Sequence, residues 1–208
     1  MRFFKTILTL LIITGPLLLN AQNVTLVNSN LPIVVINTNG ATIPDEPKAR
    51  AHMGIISNSD GKDNNIHGSF EGYDGNIAIE VRGSSSQMFE KKSYGLELRD
   101  EAWADMDASL LGMPEEEDWI LYGPYMDKSL LRNVVTFTLD ATLGHYSPKC
   151  RYVELVLNNE YKGLYVLMEK VKRDKNRVNI ARLRMEDTEG EELTGGYIFK
   201  LDKSTGEG

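Results

Sequence analysis

Cysteine is nearly missing from this chain. Its 208 residues hold one, Cys150, which forbids an intramolecular disulfide and rules out a cysteine-based zinc cluster. A buried, inert thiol is the expected state. Histidine is scarce too: His52, His67 and His145 are scattered and form no spaced metal-ligand set. No nucleophile elbow lies near any of them, so a serine hydrolase has no base to use. The run DGKDNN at 60–65 is rich in oxygen but lacks the twelve-residue calcium frame with its closing Glu, and reads as a surface turn. A polysaccharide-cleaving enzyme would need a carboxylate pair, and none can be placed. Cations are outnumbered, 23 against 30 acids, so nucleic acid is not an expected partner. Internal repeats and low-complexity segments are absent.

Long apolar runs are missing everywhere except at the start. Arg2 and Lys5 precede an uncharged apolar run from Ile7 to Leu19, interrupted by Gly15 and Pro16 and followed by Asn20, Ala21 and Gln22. This pattern is that of a secretory signal peptide over residues 1–21, cut after Ala21. It is too short and broken for a membrane span, and no later segment is apolar enough to be one. With no cysteine near the cleavage point to accept lipid, export to the periplasm, cell surface or medium is expected. The mature chain would have 187 residues and a formal charge of −9. That length can bury a real core.

What the chain does have is a well-patterned stretch from Ile77 to Asp100, IAIEVRGSSSQMFEKKSYGLELRD. Ile77, Ile79 and Val81 alternate with Ala78 and Glu80, and Tyr94, Leu96 and Leu98 alternate with Gly95, Glu97 and Arg99. Two strands joined by a polar loop are predicted. A serine-rich turn by itself usually satisfies only its own backbone. Here Arg82 precedes the serines, Lys91 and Lys92 follow them, and apolar strands hold both ends. Backbone donors, hydroxyls and cations on a fixed frame suit phosphate. The pattern is neither the Walker loop nor GxGxxG.

Elsewhere, Leu31–Asn37 reads as a buried strand, followed by an extended loop through Ala49, and Met53–Ile56 is a second short apolar run. Asp60 and Gly61 suit a tight turn that could close a hairpin. LLGMPEEEDW suggests a brief helical turn, flanked by Trp103 and Trp119 as core pins, and Trp119–Leu121 a short buried strand. Asp127 or Ser129 can cap a helix running to about Leu143 and stopping at Gly144. Its apolar residues cover most of its circumference, so a buried, packed helix is expected. Arg151–Leu157 and Gly163–Lys170 predict a hairpin with Asn158 or Asn159 in a left-handed turn position. The basic run Val171–Arg184 reads as a solvated face. An acidic loop and a strand over GYIFKLD, 196–202, complete the series.

Four blocks in order carry a resemblance: GNIAIEVRGSSSQMFEKKSYGLELRD, LLGMPEEEDWILYGPYMDKSLLRN, YVELVLNNEYKGLYVLMEKVKR and TGGYIFKLDKSTG. They are similar to successive blocks of the spore-coat protein H (CotH) kinase family, and the stretch from Leu31 to Ile56 resembles the N-terminal part of its secreted bacterial members. The resemblance implies an atypical protein-kinase-like N-terminal lobe. Such a lobe is α+β, a mainly antiparallel sheet with one long packed helix. It would be truncated here, with a strand-and-loop preamble over 22–70 and the kinase-like part over 71–208. It implies ATP and Mg²⁺ as cofactors and transfer to serine or threonine of exported proteins. Mapped by position, Arg82, Ser84, Ser85 and Ser86 would cover the phosphates. Lys92, with Lys91 as second choice, would reach them, and Glu169 would sit at the hinge or in the charge network around the lysine. The family's usual Asn and Pro are replaced by Ser84 or Ser85 and by Glu90. Its metal-binding aspartates belong to a later block with no counterpart before Gly208, so no catalytic or metal residue is assigned. The rival expectation is a secreted surface-binding module that keeps the fold without chemistry.

Overall fold

A computed structural model describes residues 25–194 and 196–199. The leader and the last residues of the expected 196–202 strand lie outside these; over 196–199 no strand is formed. Among the described residues nine strands appear in chain order: β1 (Asn28–Ser29), β2 (Ile33–Asn37), β3 (Ala49–Ile56), β4 (Asn64–Asn65), β5 (Tyr73–Arg82), β6 (Ser93–Arg99), β7 (Asp118–Tyr122), β8 (Cys150–Leu157) and β9 (Glu160–Glu169). Helix α1 (Arg132–Thr142) separates β7 from β8, and a four-residue α2 (Gly190–Leu193) comes late.

Seven strands close into a barrel in the order β2-β3-β5-β6-β7-β9-β8, and β1 pairs with β4 beside it. All neighbours are antiparallel except β2 and β8, whose parallel pairing of Ile33 with Glu154 through Ile36 with Leu157 shuts the sheet on itself. Alternation decides what is inside. Ile77, Ile79, Tyr94, Leu96, Leu98, Trp119, Leu121, Val153, Leu155, Tyr165 and Leu167 fill the interior with Val34, Ile36, Met53 and Ile55. Closure leaves these seven strands no free sheet edge to pair with another chain.

This overturns the expected kinase-like lobe. The sheet is a closed barrel, not one layer backed by a long packed helix, and two of its staves, β2 and β3, come from the segment read as a preamble. Helix α1 has eleven residues and none is buried. One side, Val134 and Phe137, packs on the outer barrel surface formed by Ile120, Val166, Met168, Tyr122, Cys150 and Tyr152. The rest stays in solvent because the barrel interior is already filled by its own strands.

The β8–β9 hairpin forms as expected, and both turn residues adopt left-handed conformations, Asn158 at φ 52° and Asn159 at φ 64°. That pair of positive φ angles matches the twist of the flanking strands. Asn158 also ties the turn to β2: its Oδ1 accepts from Thr38 N at 2.8 Å, and its own N–H donates to Ile36 O at 2.8 Å. Asp127 serves the start of α1 from five residues upstream, with Oδ2 accepting from Arg132 N at 2.8 Å and Oδ1 from Ser129 Oγ at 2.6 Å. Gly144, at φ 86°, ends the helix region.

Candidate functional site

Strands β5 and β6 pair from Asn76 with Arg99 to Arg82 with Ser93. The connection between them is compact. Ser85–Met88 form one turn of 3₁₀-helix, Gln87 Nε2 donates to Gly83 O at 2.6 Å and to Asp45 Oδ1 at 2.8 Å, and Lys92 Nζ donates to Gln87 O. Val81 N donates to Pro44 O at 2.7 Å, so the loop is strapped to the segment before β3 at two points. Gly83 holds φ at 110°, and a Cβ there would collide with the Ser86 hydroxyl. Only glycine makes this turn without moving the serine.

Behind the loop lies a cleft of about 250 Å³, lined by Arg82, Gly83, Ser86, Phe89, Lys91, Ser93 and Tyr122 through Met126 except Pro124. Two cations and no carboxylate line it, in a chain with a formal charge of −7. The stacked rings of Phe89 and Tyr125, 5.0 Å apart, form one wall. Lys91 Nζ lies 4.3 Å from the centroid of the Tyr165 ring and donates to Lys162 O at 2.9 Å. Burial pulls its pKa below the ordinary lysine value, and Glu154 partly offsets this.

The expected site residues separate into four groups. Arg82, Ser86 and Lys91 meet at the cleft. Ser84 and Ser85 are exposed in the loop that covers it. Lys92, the first choice from position, does not line the cleft; its ammonium braces the loop through Gln87. Glu169 is elsewhere. It pairs with Trp119 in register, about 10 Å further along the strands at 3.3 Å per residue. There Glu169 is buried, accepts from Lys149 N at 3.0 Å and Tyr146 OH at 3.3 Å, and faces Arg177 Nη1 at 3.3 Å. The Arg177 guanidinium in turn lies 4.9 Å from the Trp119 ring.

Arg177 and Lys172 are the residues that reading the basic run as a solvated face missed. Lys172 Nζ sits among Glu116 at 2.6 Å, Glu117 at 2.7 Å and Asp118 at 2.8 Å. The signal was present as an acidic segment and a basic segment of similar length, but nothing local says that they meet. Among the described residues these three carboxylates are the group close enough to share a metal ion. An ammonium already occupies that position, and the trio is not part of the cleft. Burial raises the pKa of Glu116. Burial works on Glu117 and Asp118 in the same direction, but hydrogen bonds from Lys172 outweigh it and leave both below the usual range, Glu117 at about 2. With Lys172 among them, these carboxylates do not fit a resident Mg²⁺, and the cleft itself offers two cations and a serine hydroxyl but no carboxylate.

The model of the CotH kinase protein family matches residues 79–207, which is more than half of the chain. The chain belongs to the CotH kinase family. Membership points to a kinase-like function, and the match begins within β5, so the last four residues of β5, the serine loop and all of β6 lie inside it. No curated protein matches the chain. The CotH match leaves out β2 and β3, which the barrel nonetheless needs for closure.

Proposed function

We propose that this CotH-family chain grips the phosphates of ATP in the cleft beneath the β5–β6 loop, as part of a kinase acting on serine or threonine of exported proteins. The observation that carries this reading is the meeting of Arg82, Ser86 and Lys91 around one carboxylate-free cleft. A guanidinium and an ammonium supply charge-assisted hydrogen bonds, which are about twice as strong as neutral ones. The serine hydroxyl and loop backbone supply donors whose positions are set before the ligand arrives. Lys92 and Gln87 keep the loop closed and do not touch the ligand. Mg²⁺ would come with the nucleotide. The leader pattern supports an exported location.

Titration calorimetry with ATP, ADP and adenosine tests the reading. Affinity should fall with each phosphate removed, and adenosine should not bind measurably. Equal binding of all three, or of none, would overturn it, the second result favouring a surface-binding module without nucleotide chemistry.

A further inference from the structure

Helix α1 carries a second apolar face that none of the described residues covers. Leu131, Val135, Leu139 and Leu143 recur every four residues and are exposed by 50, 46, 60 and 73 %. Leu131 and Leu143 flank the helix in helical backbone conformations and extend the row by one residue at each end. On a helix of 3.6 residues per turn this row lies opposite Val134, Phe137 and Ala141, the side turned toward the barrel. It is about 18 Å long at 1.5 Å per residue. A continuous apolar row of this kind on a soluble surface marks an interaction site.

The charges beside the row say what it fits. Arg132 opens the helix and Asp140 lies near its end, on the same flank, with side chains 78 and 41 % exposed. A helix favours acids at its N-terminus and bases at its C-terminus. This one has neither an acid in its first turn nor a base in its last, and its two flanking charges are placed the other way round. Their local partners are Asp127, 3.6 Å from Arg132, and His145, 2.9 Å from Asp140. The Asp140–His145 pair is exposed and of small value, and the Arg132 guanidinium is exposed although Asp127 itself is buried at the cap. An identical helix running antiparallel, crossing near Phe137, brings each Arg132 within about two residues of the other copy's Asp140.

We propose that the Leu131–Leu143 row is the docking surface for a second copy of this chain, helix against helix and antiparallel, in a two-fold dimer. A row spaced by four residues is a ridge that fits the groove of its own copy. Two-fold contacts of this type are self-complementary, so each residue of the row meets the row of its partner. The row is far smaller than the 20–30 residues per side of a standard interface. The dimer is accordingly weak, with a Kd on the order of 10–100 µM.

Sedimentation velocity over about 1–500 µM, a range that spans this Kd, tests the proposal. The wild-type protein should shift from monomer to dimer with concentration. Val135→Glu with Leu139→Glu should remain monomeric with an unchanged circular dichroism spectrum, since both positions are exposed. Asp140→Arg should weaken the dimer, and adding Arg132→Asp should restore it, which a parallel arrangement would not show. A wild type that stays monomeric throughout, or a dimer indifferent to the glutamates, overturns the proposal. If the monomer instead sediments with phosphatidylcholine vesicles through the same row, the surface belongs to a lipid partner and the dimer is refuted.

Discussion

Replacing Lys172 with methionine removes the cation from a nest of three acids. Glu116 and Asp118 side chains are 2 and 9 % exposed, Glu117 21 %, and Lys172 itself 27 %. The Lys172→Met protein keeps the stem volume and leaves Glu116, Glu117 and Asp118 with their ligand atoms within 4.8 Å of one another. Lys170, 2.9 Å from Asp118, relieves one of them. Breaking a fully buried pair from one side costs 3–5 kcal/mol; with Lys172 about a quarter exposed, the loss here is about 3 kcal/mol at neutral pH. In a chain of this size that lowers the melting midpoint by about 6–12 °C. Urea unfolding followed by tryptophan fluorescence measures it, since Trp119 is buried next to this network. The pH dependence has a definite sign. Glu117 is held at about 2 in the folded wild type, against an ordinary 4.5. Its contribution is therefore present above pH 4.5 and is lost as pH falls toward 2. Glu116, raised by burial, titrates in the opposite sense and trims the effect. Without Lys172 the acids protonate more readily, so the gap between variant and wild type narrows on acidification through this window. A loss below about 1 kcal/mol, the range of an exposed pair, or a gap that widens with acid, would refute the reasoning.

Two further outcomes follow from backbone geometry. Asn158→Ala places an alanine at φ 52° and removes the Thr38 contacts; strain of about 1–2 kcal/mol and a hydrogen bond of about 1 kcal/mol predict a loss of about 2–3 kcal/mol in urea unfolding. Gly83→Ala forces the Ser86 hydroxyl aside and puts an alanine at φ 110°, and should weaken ATP binding in calorimetry while costing about 1–3 kcal/mol in urea unfolding.

The local signals in the sequence were reliable where one segment dictates its own shape. The alternation on either side of RGSSSQ produced β5 and β6, Asn158 and Asn159 produced the hairpin turn, and Gly144 stopped the helix. Closure was not legible, because the apolar run of β2 announces burial but says nothing of a partner 120 residues away in β8. The packed helix failed for a related reason. Apolar residues around α1 imply two covered faces, and the barrel covers one. At the site, the polar connection between two strands was readable, but the different placements of Lys91 and Lys92 were not: alternation breaks down where the loop enters β6, and the Lys91 ammonium is drawn to the Tyr165 ring and the Lys162 carbonyl from β9.

The measurement that bears most directly on the proposed gripping of phosphate in the cleft is the ATP affinity of Lys91→Ala beside Lys92→Ala and wild type, by calorimetry at pH 7 and in a rising pH series. Loss of a charge-assisted contact of about 1.5–3 kcal/mol predicts affinity about 10–100-fold weaker for Lys91→Ala. Lys92→Ala, which removes only the brace on Gln87, should retain most of it. Because burial holds the Lys91 pKa below the ordinary lysine value of 10.5, wild-type affinity should decline as pH rises through that lowered value, and the decline should be absent in Lys91→Ala. Unchanged affinity in Lys91→Ala, with the loss falling on Lys92→Ala, would contradict the account.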